Sequence, residues 1–255
     1  MLPETTREAA ERFGEAIADV ADGDRTLSFA ELDRISDEIA GGLARDGVGE
    51  GDIVALAMPP GLSYVTAYVG AAKVGAITTG VNDRLAAGEQ AAVLDIAGPR
   101  LTLSEPSEVD ALRVPGAAPA PLPADEDRPV AIIFTSGTTG LPKGALYTNR
   151  QLAFITQTDT SGAWGGGGRS VAGTAFAHLG FMTKLPGNLH RGGTSYILPR
   201  WRADAALALV AEHHMTTVAG VPTQLALMLR QPDFDTLDLE SVQFLIAGGG
   251  PLTPG

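Results

Sequence analysis

The chain has 255 residues, is 44% hydrophobic, and carries a net charge of −12 from 18 Lys+Arg against 30 Asp+Glu. That length suits one large domain or two small ones with a substantial core, and the acidity argues against nucleic acid, whose phosphate backbone requires a basic footprint. Cysteine is absent, which excludes disulfides, thiolate nucleophiles and cysteine metal sites.

The first sixteen residues, MLPETTREAAERFGEA, are polar and hold no apolar core of the signal-peptide kind. The longest weakly polar run, residues 65–81, is broken by Lys73 and several glycines and is short for a membrane span. No integral membrane segment is therefore expected, and the expected compartment is the cytoplasm. Residues 26–31 end a short extended segment and open a helix, with Ser28 and Glu31 at capping-box spacing. Ile35, Ile39 and Leu43 continue that helix until Gly47 and Gly49 stop it. Residues 52–58 form a continuous apolar strand, 62–74 a helix, 76–79 a strand, 86–96 a helix and 100–103 a strand. Residues 105–128, rich in proline, alanine and acid, are expected as a surface connection.

An apolar run, PVAIIF, then leads into TSGTTGLPKG. Beyond it, residues 149–157 are expected as a helix, 162–168 as a glycine-rich loop, and 170–176 and 194–198 as strands. Residues 204–214 follow as a helix, 216–219 as a strand, 223–230 as a helix, and 242–247 as a strand running into Gly248-Gly249-Gly250-Pro251. Alternating strands and helices with uninterrupted apolar strands predict an α/β fold. Its layered βαβ units would have buried, mostly parallel sheets flanked by helices.

Residues 129–144 are the most informative stretch. A buried strand that passes into glycines lets backbone N–H groups converge on an anion. Ser136, Thr138 and Thr139 add hydroxyl donors, and Lys143, one of only three lysines, adds a mobile cation. That set suits a polyphosphate. The Walker A pattern does not fit, because Lys143 lies between Pro142 and Gly144. Nor does the Rossmann pattern, because Gly137 and Gly140 lack a glycine at the required earlier position. On residue types alone, a turn without a ligand stays open. His190 and the pair His213-His214 are taken as structural, and no histidine–carboxylate spacing suggests a metal centre.

TSGTTGLPKG, residues 135–144, resembles the signature loop of the adenylate-forming (AMP-binding) superfamily, which includes acyl- and aryl-CoA synthetases, peptide-synthetase adenylation domains and firefly luciferase. LSFAELDRISDEIAGGLARDGVGEGDIVALAMPP, GGTSYILPRWRADAALALVAEHHMTTVAGVPT and FLIAGGGPLTPG extend the resemblance, to the N-terminal portion of an acyl-CoA synthetase. It implies activation of a carboxylic acid by ATP to acyl-AMP, then transfer to CoA, with ATP, Mg²⁺ and CoA as cosubstrates or cofactor.

By the same resemblance, Thr135, Ser136, Gly137, Thr138, Thr139, Gly140 and Lys143 would hold the β- and γ-phosphates, with Thr135 also a Mg²⁺ contact. Gly248, Gly249, Gly250 and Pro251 would lie along adenine, and Gly250 and His178 would wall the acid and thiol passage. Three positions depart from the family pattern: Ala175 where proline is usual, Ala177 where an aromatic is frequent, and Asn149 where a histidine is common.

The Tyr-Gly-x-Thr-Glu segment, the ribose-binding aspartate and the domain with the catalytic lysine would lie beyond Gly255. The expected organisation is a partial N-terminal AMP-binding domain over 1–255: a first βα segment at 1–104, a connection at 105–128, and a phosphate-loop and acyl-pocket segment at 129–255. A C-terminal half in cis or trans is the expected partner, and the chain alone is expected to be inactive. The alternatives are a non-catalytic nucleotide- or acyl-binding module and one subunit of a split synthetase. Residues 176–182 offer no acid to pair with a substrate amine, which favours a fatty or aryl acid over an amino acid.

Overall fold

The computed structural model describes residues 1–21, 25–135 and 142–250. The chain opens with a helix, α1 (Leu2–Phe13), that the polar sequence concealed. Its inward face is Leu2, Thr5, Thr6 and Ala9, and buried threonines blur the apolar periodicity by which helices are recognised. A hairpin follows, β1 (Ile17–Ala21) and β2 (Arg25–Ser28). Ser28 then starts α2 (Phe29–Arg45) with the expected reciprocal cap: its hydroxyl accepts the Glu31 N–H at 3.1 Å, and Glu31 accepts the Ser28 N–H at 3.0 Å.

Next come β3 (Ile53–Leu56), α3 (Leu62–Lys73), β4 (Ile77–Gly80), α4 (Ala87–Ala97) and β5 (Leu101–Leu103), each within a few residues of its expected span. The stretch expected as a connection begins instead with a helix, α5 (Pro106–Leu112). It buries Val109 and Leu112, and its last carbonyl lies so close to Gly42 of α2 that a Cβ there would collide with it. Then come β6 (Pro129–Thr135), β7 (Lys143–Thr148), α6 (Asn149–Thr160) and β8 (Arg169–Ala172). Two short helices, α7 (Leu179–Met182) and α8 (Leu185–Arg191), lead to β9 (Thr194–Ile197), α9 (Ala203–Glu212), β10 (Thr217–Gly220), α10 (Pro222–Leu229) and β11 (Phe244–Ala247).

Among the described residues the strands form two sheets. One has the order β5-β3-β4-β6-β7, parallel except for the antiparallel edge β7. The other has the order β11-β10-β8-β9-β1-β2, parallel except for the β1–β2 hairpin. Side-chain alternation sorts their faces. In β3, Val54 and Leu56 join the main core, while Ala55 faces a second cluster with Val93 of α4 and Phe134. In the larger sheet, Ile197 and Ala172 face the main core, while Val171 and Val218 pack under α9 and α10 with Leu207 and Met228.

Among the described residues the result is five layers: helix, sheet, helices, sheet, helices. Helix α3 lies in the middle, on β3 and β4 of one sheet and β1 of the other. Being apolar all round, it is buried along almost its whole length. Lys73 at its end is also buried and is clamped by the Asp33 and Asp37 carboxylates at 2.6 and 2.7 Å. Among the described residues, no helix is long and apolar enough to cross a membrane.

Candidate functional site

In parallel α/β sheets, ligand sites form where strands end and loops begin. Here β6 ends at Thr135 and β7 returns antiparallel, with Lys143 directly opposite Thr135. Strands β6 and β7 are therefore antiparallel neighbours, and Lys143 opens a strand rather than closing a loop. Both residues are exposed. Ser136, Gly137, Thr138, Thr139 and Gly140 lie outside the described residues, as does Pro251. Next to the loop, Gly144 passes so close to Ile132 that a Cβ would sit 2.8 Å from its side chain.

Strand β4 brings a second group to the same end. Thr78 and Thr79 lie opposite Ala131 and Ile132 of β6, so the parallel register carries Thr135 to the level of Asn82. Val81 is anchored by its N–H to the Leu56 carbonyl at 2.9 Å, and a turn follows. In that turn the Asn82 Oδ1 accepts the Arg84 N–H at 3.0 Å. The Asn82 side-chain amide lies 3.1 Å from Nε2 of His178. The Arg84 guanidinium donates to the Pro199 carbonyl, just past β9, at 3.3 Å. This turn thus joins the ends of both sheets.

His178 sits at the N-cap of α7, which packs beside β6. The strand expected over residues 170–176 ends at Ala172. Phe176 leaves it to stack on Phe181 at 3.6 Å, with Tyr64 of α3 edge-on at 5.5 Å. Tyr68 donates its hydroxyl to the Met182 carbonyl at 2.9 Å. Gly80 presses against Ala177 and the Tyr64 hydroxyl, leaving no room for a Cβ. That fit accounts for the small residue at 177. His178 is exposed as a residue, and partial desolvation of its ring holds its pKa below the usual imidazole range.

The glycine run follows β11. Gly249 has φ 78°, a backbone conformation that favours glycine, and the Gly248 N–H donates to the Gly220 carbonyl at 3.2 Å. A Cβ on Gly250 would touch Pro222 at 3.3 Å, so this backbone lies along the start of α10. Gln224 connects that start to the His178 segment: its Oε1 accepts the Val221 N–H and its Nε2 donates to the Gly173 carbonyl, both at 3.0 Å.

The other histidines do different work. His190 stacks on Trp164 at 3.8 Å and meets the Ala163 carbonyl at 2.8 Å, while His213 stacks on Tyr196 at 4.2 Å. Asn149 opens α6 and donates to the Asp125 carbonyl at 2.8 Å. Among the described residues, no three His, Asp or Glu side chains gather as a metal site. Asn82 is the residue at this site that sequence reasoning passed over; the available signal was a turn-forming V-N-D-R directly after a parallel strand.

Two mostly parallel sheets with helices between and outside them, and a hydroxyl- and glycine-rich sequence where β6 ends, define the class of layered α/β chain to which this one belongs. The AMP-binding enzyme family matches residues 6–255, and the chain belongs to it. It is 30% identical over 90% of its length to a fatty acid–[acyl-carrier-protein] ligase of Streptomyces coeruleorubidus, and 28% identical over 90% to the long-chain-fatty-acid–CoA ligase FadD13 of Mycobacterium tuberculosis. The chain spans about half the length of these relatives, 50% and 51%. The inhibitor-bound N-terminal domain of FACL13 from M. tuberculosis aligns with 99% of the chain, 70% of its own, at a TM-score of 0.89 and 25% identity.

Proposed function

We propose that this chain is the N-terminal part of an ATP-dependent carboxylic acid–thiol ligase, acting with a C-terminal half in cis or trans. In this reading a carboxylate oxygen attacks the α-phosphorus of ATP and pyrophosphate leaves. A thiol, that of CoA or of a carrier protein, then attacks the acyl carbon and AMP leaves with the bridging oxygen. The observation that carries the reading is the antiparallel β6–β7 pair at the strand ends, with Lys143 opposite Thr135 and the His178 segment packed beside β6.

The chemistry of the site residues fits. Lys143 and the hydroxyls of Ser136, Thr138 and Thr139 would hold the β- and γ-phosphates through charge-assisted hydrogen bonds. Thr135 would offer one neutral oxygen to Mg²⁺, an ion commonly held by one or two protein ligands together with substrate phosphates. When bound there, Mg²⁺ would offset charge on the departing pyrophosphate. The backbone at Gly248–Gly250 would lie along adenine, and His178 would stand beside the acid. Residues 176–182 carry no acidic side chain, and the two relatives act on fatty acids, so a fatty acid is the proposed substrate class.

In the complete enzyme, Lys143→Ala removes one charge-assisted phosphate contact. Acid-dependent ATP–pyrophosphate exchange is expected to fall about ten- to a hundredfold, from the roughly 1.5–3 kcal/mol such contacts contribute. Unchanged exchange would remove Lys143 from the phosphate site.

A further inference from the structure

The turn after β4 places a side-chain amide against one ring nitrogen of His178. The Arg84 N–H is a donor, so the end of the Asn82 amide that it meets at 3.0 Å must be the carbonyl oxygen. That leaves the NH₂ group facing His178 Nε2 at 3.1 Å. A donor there requires a lone pair on Nε2, which means a neutral ring protonated on Nδ1.

The turn is held from both sides, by the Val81 N–H on the Leu56 carbonyl and by the Arg84 guanidinium on the Pro199 carbonyl. Lys143, opposite Thr135 on β7, is the cation of the neighbouring strand pair. Neither α7 nor β6 contributes a titratable side chain. The turn itself carries Asp83 and Arg84, and Lys184 is paired with Asp159 at 2.8 Å.

We propose that Asn82 is a positioning residue that fixes His178 as the neutral Nδ1–H tautomer, so that the ring offers the site one uncharged donor. The purpose of that arrangement rests on the ligase reading; the arrangement itself does not. An imidazolium would hold the incoming carboxylate as an ion pair, stabilising the bound ground state and slowing its transfer to phosphorus. A neutral N–H orients the carboxylate without trapping it. Burial, which disfavours the charged ring, acts in the same direction.

The test is long-range ¹H–¹⁵N correlation on ¹⁵N-histidine-labelled chain at pH 7.5, with His178→Ala assigning the resonance. The expected spectrum has unprotonated Nε2 and protonated Nδ1. Asn82→Asp keeps an oxygen for the Arg84 N–H, and so keeps the turn, but replaces the donor facing Nε2 with an acceptor. It should move the proton to Nε2 and raise the titration midpoint of His178 by about one pH unit or more. Asn82→Ala should return the ring to the mixed tautomers of free histidine.

An Nε2–H ring in the unaltered chain, or an Asp variant with an unchanged tautomer and midpoint, would overturn the proposal. In the complete enzyme, Asn82→Asp should shift the pH profile of acid-dependent exchange while KM for ATP stays constant. If the tautomer is as expected but no exchange depends on an acid, the ligase reading fails and the positioning stands. If exchange is normal with an Nε2–H ring, the positioning fails and the ligase stands.

Discussion

The middle layer and the outer strands of the larger sheet are built from similarly apolar sequence, yet end up in opposite environments. Tyr64 and Tyr68 of α3 are 1% and 0% exposed, and every residue of β4 beside them is buried. In β11, Phe244, Leu245 and Ile246 are 60%, 66% and 56% exposed. β11 is the outermost strand of its sheet among the described residues, with β10 on one side only. The contrast separates two tasks. The helices between the sheets hold the scaffold. The candidate site lies at the seam, where α3 reaches across to the His178 segment through Tyr68 and the Met182 carbonyl. Among the described residues, the glycine run follows the outermost strand β11, which pairs with β10 on one side.

The largest way to break this contrast is to damage the middle layer. Lys73→Ala leaves Asp33 and Asp37 without the buried cation that both contact. Breaking a buried ion pair costs about 3–5 kcal/mol, and urea denaturation should register a loss of that size. A loss under about 1 kcal/mol would mean that the middle layer does not carry the stability.

A second test uses Asp19 of β1, which is 5% exposed and whose pKa is pushed up to about 7 by burial alone. A raised carboxyl pKa means that the folded state binds the proton more tightly than the unfolded chain. This contribution is therefore most favourable below the ordinary value near 3.8, declines as pH rises, and is fully unfavourable above about 7. Asp19→Asn removes the penalty. Its stability relative to the unaltered chain should improve by on the order of 2–4 kcal/mol between pH 4 and pH 8. A difference independent of pH would contradict the burial of that carboxyl.

The smallest effect belongs at the open edge. Ile246→Lys should change stability by no more than about 0.5 kcal/mol. It should reduce self-association measured by light scattering, because lysine on an exposed edge strand discourages strand-to-strand pairing. A destabilisation of 2 kcal/mol or more would show that β11 is as enclosed as β4.

Much of this was legible in the sequence wherever the signal was local. The Ser28–Glu31 cap, the apolar runs of β3 and β6, and the loop signature all declare themselves over a few residues. What stayed hidden depended on partners distant in sequence. Helix α1 uses Thr5 and Thr6 as core-facing residues, which only the packed structure makes intelligible. Helix α5 is short, lies in a stretch rich in proline and acid, and buries Val109 and Leu112. Strand β7 is hidden in the sequence because Lys143 and Gly144 look like turn residues until β6 pairs with them. The Asn82–His178 contact spans 96 positions, and no spacing rule connects two residues so far apart.

The proposed ligase reaction requires that a carboxylate oxygen attack the α-phosphorus of ATP. In the complete enzyme, supplied with a fatty acid labelled with ¹⁸O in both carboxyl oxygens, ATP, Mg²⁺ and CoA, one of those oxygens must leave with the nucleotide when the thiol takes the acyl group. Mass spectrometry of the products should find AMP carrying one ¹⁸O for each thioester formed, and unlabelled pyrophosphate. ADP as the nucleotide product, or ¹⁸O recovered in inorganic phosphate, would contradict the account.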